Sequence, residues 1–190
     1  MNKSNASFAE TLVAIPHEDL VGSYLVGVRE LFNREYFEEY GEWNAHQPYG
    51  YAAHDIHIIA LHGETVVGHV GWARRQIEVG KISLAIGGIG GVLVAPQARG
   101  DGLAKHLMNA ATDTMKLLGG IDFGYLGCRE EVADFYRSCG WCRISADEEY
   151  INTLGDATVD SAGLPLFVYP IEKSENDWPA GAVKLHGRAW

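Results

Sequence analysis

The chain has 190 residues, 47% of them hydrophobic, and a formal net charge of −10 from 25 acidic against 15 basic side chains; this supports one core, a single domain over 1–190, and a soluble protein. The negative balance excludes nucleic acid, whose phosphates need Lys and Arg, and it argues against anionic lipid or an acidic carrier while suiting a cationic small molecule. No apolar run approaches the ~18 residues of a membrane span, residues 1–20 lack the apolar stretch of a secretory signal, and three sparse cysteines form no disulfide framework, so a reducing cytoplasm is expected.

Residues 19–40 place Leu20, Tyr24, Val28, Leu31 and Phe32 at helical spacing, with Asp19 as the expected N-cap. A loop rich in Gly, Pro and aromatics follows. Residues 55–62 and 65–79 read as strands joined by Gly63-Glu64, a two-residue hairpin turn. After Gly80-Lys81 a third strand spans 82–94, with glycines at 87, 88, 90 and 91 that mark a bulge or a close approach of another backbone. A helix from 103 to 118 shows Leu103, Leu107, Ala111, Thr114 and Leu118 on one face, closed by Gly119-Gly120. A strand at 121–128, a short helix before Gly140, and extended pieces near 142–153 and at 165–171 complete the pass. The strand at 121–128 must return across a helix to lie parallel to that at 82–94. The order predicts an α/β fold, with a mixed central sheet flanked by helices.

The junction between the third strand and the next helix carries chemistry. A strand that ends in a glycine-bearing turn and opens a helix presents unpaired backbone N–H groups, and the helix dipole adds positive potential. Gly100 and Gly102 remove the Cβ atoms that would keep an anion away, so a phosphate or diphosphate is the natural guest. The glycine pattern fails as a dinucleotide fingerprint, because Lys105 stands where the third glycine belongs, and no G-K-[ST] of a nucleotide-binding P-loop is present. It satisfies Q-x-x-G-x-G/A, as Gln97-Ala98-Arg99-Gly100-Asp101-Gly102.

That loop resembles motif A of the Gcn5-related N-acetyltransferase (GNAT) superfamily, and residues 130–141, with Phe135-Tyr136 followed by Gly140-Trp141, resemble its motif B. The resemblance covers about 55–142 and implies the GNAT fold, with a mostly antiparallel sheet containing a splayed parallel strand pair. Residues 166–183 and Trp190 are similar to aminoglycoside 2'-N-acetyltransferases. Residues 41–45, 68–80 and the same tail also resemble NodA, an acyltransferase acting on a chitooligosaccharide amine. Because NodA uses an acidic carrier as donor, the charge of −10 favours the antibiotic acetyltransferase, acting on a 2'-amine and conferring resistance. The alternatives are a NodA-like amino-sugar N-acyltransferase with another donor, and a non-catalytic acyl-CoA-binding module.

The resemblance implies acetyl-CoA as cofactor, held by Val92, Leu93, Val94, Gln97, Arg99, Gly100, Asp101, Gly102, Leu103 and Ala104, and transfer in a ternary complex. Tyr136 occupies the motif position of the acid that serves the departing thiolate. The strand glutamate used as base by many members is replaced by glycine near Gly90, so Glu42 is the expected ammonium-binding group and a base through water. Glu38, Glu42, Trp43, His57, Asp160, Trp178 and Trp190 are the expected acceptor residues; the oligomeric state stays open, and a homodimer could complete the site. No metal is expected. Cys139 and Cys142 have no second ligand pair and read as free thiols, and His54 and His57 fall on opposite sides of an extended segment, which favours surface or cleft roles.

Overall fold

The computed structural model describes residues 10–161, 163 and 165–190. Strands β1 (Thr11–Pro16), β2 (Ile56–His62), β3 (Thr65–Val79) and β4 (Ile82–Val94) run antiparallel in that order. The turns after β2 and β3 rest on Gly63 and Gly80 at φ 60° and 61°, the left-handed conformation that short hairpin turns require. The chain then crosses through helix α2 (Leu103–Leu118) and returns as β5 (Phe123–Gly127), parallel to β4. β9 (Leu166–Pro170) lies antiparallel to β5, with β6 (Cys142–Ile144) beyond it. The far end of β3 pairs with β10 (Val183–Arg188), which carries β7 (Glu148–Ile151) and then β8 (Ala157–Asp160). The result is a 10-stranded mixed sheet, the expected α/β architecture.

Helices cover both faces. α2 sets Leu103, Leu107, Met108, Ala111 and Met115 against the sheet. The chain lacks a Cβ at Gly68, which lets Leu107 approach the backbone of β3, and the Trp72 indole N–H donates to Thr114 Oγ1 at 2.9 Å. Helix α1 (Gly22–Tyr40) buries Val28, Leu31 and Phe32 on the other face. There Phe32 meets the ring of His69, the neighbour of Gly68 that points the opposite way along β3. Short α3 (Ala133–Ser138) buries Ala133 and Tyr136.

Three expectations are corrected. α1 is preceded by Val21 rather than capped by Asp19, which lies in a 3-10 turn over His17–Asp19. Leu118 is exposed, and Met115 takes its place in the α2 stripe. β1 and β10 were not expected as strands: β1 has a weak alternation and ends on a proline, while β10 contains His186 at φ 52° and a register shift between Lys184 and Arg188. Among the described residues no helix is long and apolar enough to cross a membrane.

Leu107 is fully buried between α2 and β3. Leu107→Ala is expected to lower unfolding free energy by ~2–5 kcal/mol, read from the denaturant midpoint at unchanged slope.

Candidate active site

The parallel pair β4 and β5 bonds only over Ile86–Gly88 against Phe123–Tyr125, although β4 continues to Val94. Past Gly88 the two strands part, leaving facing backbone groups unpaired by each other. A bulge falls in β4 just there: the register against β3 shifts between His69 and Gly71, and Gly91 stands at φ 57°. A β-bulge re-aims the strand that carries it.

β4 leads into the glycine turn. Gly100 and Gly102 lie at φ 102° and 83°, and a Cβ at either would meet nothing within 4 Å, so the turn faces open space. The first α-helical bond of α2 runs from the His106 N–H to the Gly102 carbonyl. The Lys105 N–H also donates to that carbonyl, and the amides from Gly100 to Ala104, ahead of it, have no helical acceptor and lie at the dipole's positive end. This cradle fits a diphosphate, with donors supplied by the backbone. The Arg99 side chain is turned away: its Nε–H donates to the Val94 carbonyl at 2.8 Å, and the guanidinium lies 3.2 Å from Glu35. Arg99 therefore joins the turn through its backbone.

Tyr136, on α3, is buried beside Phe135 and Phe167, and its hydroxyl has no protein partner among the described residues. Burial, then Cys128, Cys139 and Tyr36, push its pKa well above the usual phenol value. It stays protonated and can only donate to an approaching anion.

On the face of the sheet opposite α2, aromatic and acidic side chains gather at the parting of β4 and β5. Trp190 lies over Gly88, where a Cβ would overlap its ring at 2.2 Å, and the Arg75 guanidinium sits 3.9 Å from that ring's centre. Trp178 stacks on Tyr125 at 6.1 Å, 15° between planes. The Tyr125 hydroxyl donates to the carboxylate of Glu148, 8% exposed on β7. Burial raises the Glu148 pKa, Tyr125 opposes the rise and Asp160 adds to it. Asp160 is the register partner of Glu148 across β7 and β8.

Behind the bulge lies a run of imidazoles. The His46 and His17 rings are in contact at 3.0 Å (Nδ1 to Nε2), His17 Nδ1 lies 3.0 Å from His57 Nε2, and His57 Nδ1 lies 2.9 Å from His69 Nε2. His69 Nδ1–H donates to the Gly91 carbonyl at 2.7 Å. Burial and the neighbouring imidazoles push His54 to about 3 and His57 to about 2; burial pushes His69 to about 4 against the Gly91 bond. These rings are neutral at physiological pH. His54 precedes β2, so the strand alternation that would set it opposite His57 does not apply, and the two rings converge with centroids 5.5 Å apart.

A family model described as "Nodulation protein A (NodA)" matches residues 25–187. The chain belongs to the NodA family. It is 26% identical over 161 residues to Nodulation protein A of Bradyrhizobium sp. (strain NC92), covering 80% of this chain and 73% of that one. It is 28% identical over 160 residues to Nodulation protein A of Rhizobium tropici, covering 80% and 78%. Among solved structures, Escherichia coli ElaA aligns with a TM-score of 0.61 at 16% identity, over 85% of this chain and 99% of that one. The GNAT family N-acetyltransferase YhbS from Escherichia coli, solved with CoA, aligns with a TM-score of 0.63 at 16% identity, over 97% and 94%. The NodA-family chain thus has the GNAT fold. The leaning toward an aminoglycoside enzyme is corrected: family and relatives lie on the NodA side of the two resemblances, and nothing in them supports an aminoglycoside acceptor.

The structure brings together Val92–Ala104, Gly88 and Trp190 along one path, and it groups Trp178 and Asp160 around the Tyr125–Glu148 pair. It does not bring Glu38 and Glu42 there. Glu38 is exposed on the last turn of α1, and Glu42, exposed where the chain folds back after Gly41, lies 3.7 Å from Arg29 on that helix. Trp43 is core, stacked on Phe32 at 5.2 Å, rather than a platform for sugar. His57 is fully buried within the imidazole run. Cys139 and Cys142 are free thiols, as expected. The sequence does not single out Tyr125, nor Glu148 from its acidic neighbours Asp147 and Glu149; an acid at the head of a short strand looks like any solvated charge until β7 is placed between β10 and β8.

A carboxyl whose folded pKa is raised binds its proton more tightly when folded, so stability falls as pH climbs from the unfolded value, about 4.3, through the folded one. Glu148→Gln keeps an acceptor for Tyr125 and is expected to flatten that decline, giving equal or higher thermal stability than wild type at pH 7. A variant that melts lower at pH 7 and shows the same pH decline as wild type would contradict the assignment.

Proposed function

We propose that this chain transfers an acyl group from acyl-CoA to the free amine of an amino sugar. The supporting observation is the open amide turn at Gly100–Ala104 feeding directly into the parted β4–β5 pair, in a chain of the NodA family. The GNAT fold, shared with an acetyltransferase solved with CoA, supports acyl-CoA as donor, and the charge of −10 favours an acceptor that arrives as a cation.

When bound, acyl-CoA supplies an activated thioester. The amides from Gly100 to Ala104 hold its diphosphate, and the unpaired edge beyond Gly88 receives its extended arm as a strand would be received. Val92 and Leu93, just past the bulge, supply N–H donors for the acyl oxygen, where negative charge develops. Trp178, stacked by one face on Tyr125, offers its other face to a sugar ring, while Trp190, held between Gly88 and the Arg75 guanidinium, supplies only its edge. An amino group is largely protonated at neutral pH and must lose a proton before it attacks. Glu148 takes that proton in this reading, held in place by Tyr125, and so replaces Glu42 as the base. As the C–S bond breaks, the departing sulfur takes the second proton of the nitrogen and leaves as the thiol, with Tyr136 donating a hydrogen bond to it. The raised pKa of Tyr136 makes full proton transfer uphill, so its contribution is stabilisation of the developing thiolate by a fixed dipole.

Thiol release should be followed with acetyl-CoA and longer acyl-CoAs against a chitooligosaccharide bearing one free amine and a panel of aminoglycosides. Turnover on the chitooligosaccharide is expected to exceed that on every aminoglycoside; the reverse order, or CoA binding with no turnover on any acceptor, would overturn the reading. Tyr136→Phe is expected to lower kcat at least about tenfold with CoA affinity unchanged. Wild-type turnover in that variant would remove Tyr136 from the chemistry.

A further inference from the structure

His54, His57 and His69 come from three segments, the loop before β2, β2 itself and β3, and all three are at most 3% exposed. Each presents a ring nitrogen, and these nitrogens lie within 4.8 Å of one another. The Gly91 carbonyl can only accept, so it fixes the proton of His69 on Nδ1 and leaves the Nε2 lone pair facing His57 Nδ1 at 2.9 Å. One proton shared along that contact would satisfy His57 and His69. It does nothing for His54, whose Nδ1 is buried with no hydrogen-bond partner. A buried polar atom left unpaired is destabilising by ~1–3 kcal/mol.

The sheet nonetheless makes room for this ring. A Cβ at Gly71 would lie 2.3 Å from His54 Cγ, one at Gly90 would lie 2.9 Å from His54 Nε2, and one at Gly91 would lie 3.1 Å from His54 Cε1. Two adjacent strands thus lack side chains where an imidazole is seated without a hydrogen bond. The backbone around it is firmly placed: the Asp55 N–H donates to the Trp72 carbonyl at 2.9 Å, and Asp55 Oδ2 accepts from the Arg74 N–H at 2.7 Å. A cation at the focus of the three nitrogens gives His54 a partner and keeps the outer contacts. His69 would hold its second nitrogen on a backbone carbonyl, and His57 would hold its second on His17, the outer-shell pattern of metal-ligating histidines.

We propose that His54, His57 and His69 bind a divalent transition metal, with zinc the first choice, at a site distinct from the acyl-transfer groups. Imidazole ligands suit zinc, copper, iron and nickel and leave magnesium and calcium aside. The metal would sit behind the bulge and anchor Gly91 through His69, so its role is to hold β4 in the bent path that opens the gap. The inference stands apart from the proposed acyl transfer, because its readout is metal content.

The test is metal analysis of the whole chain expressed in zinc-supplemented and, separately, cobalt-supplemented medium, then dialysed without chelator. The expected result is about one metal per chain, and for cobalt a visible absorption band of a low-coordinate site. His54→Ala is expected to lose most of the metal while keeping the His57–His69 contact and a wild-type circular-dichroism spectrum. His46→Ala, at the exposed end of the run, is expected to retain it. Folded wild-type protein without stoichiometric metal from either medium would overturn the site. So would a folded His54→Ala variant that holds as much metal as wild type, which would mark an adventitious surface site.

Discussion

A parallel strand pair that stops pairing halfway is a costly thing to place inside a sheet, because backbone N–H and C=O groups away from water need partners. Here the pair β4–β5 closes over Ile86–Gly88 and then opens, and the rest of the site follows from that opening. The bulge at Gly91 bends β4 away, the glycine turn at 100–102 lies at the end of the same strand, and Tyr136 stands on the short helix after β5. An extended ligand with a diphosphate at one end answers both demands at once. In the proposed reading it pairs with the open edge and fills the amide cradle.

The two faces divide the labour. The α2 side is a packed wall in which Gly87 admits the Met115 side chain against the strand. The opposite side keeps polar and aromatic groups near the opening: Trp190 over Gly88, Trp178 on Tyr125, and Glu148 buried under both β7 and the tyrosine hydroxyl. Burial raises both the Glu148 carboxyl and the Tyr136 phenol, the proposed proton acceptor and the proposed donor to the thiolate. The usual strand base is absent because position 90 is glycine, and the space a side chain would take there holds the His54 ring.

Much of this was legible in the residues. The hairpins were marked by Gly63 and Gly80, the amphipathic run of α2 by Leu103, Leu107 and Ala111, and the phosphate turn by the spacing of Gln97, Gly100 and Gly102, because each is a local signal that tertiary contacts only reinforce. What escaped depends on long-range neighbours. β10 becomes a strand only because β3 and β7 flank it, and its own sequence breaks the alternation at His186 and Gly187. Glu42 looked like an acceptor group because it is acidic and close to a shared segment, yet the chain folds back after Gly41 and sets it beside Arg29 of α1. The imidazole run joins His46, His17, His57 and His69, and its directly contacting pairs are separated along the chain by up to 40 residues. Its signal was the concentration of histidines at 46, 54, 57 and 69, and strand alternation misplaced His54 because that residue lies outside the strand.

The claim on which the reading rests is that backbone amides of the glycine turn grip a diphosphate. The direct measurement is a titration of isotope-labelled protein with coenzyme A, following each backbone amide resonance. The largest shifts are expected at Gly100 to Ala104, with a second, smaller set at Val92 and Leu93. A saturating titration that leaves the turn unmoved while shifting amides elsewhere would contradict it.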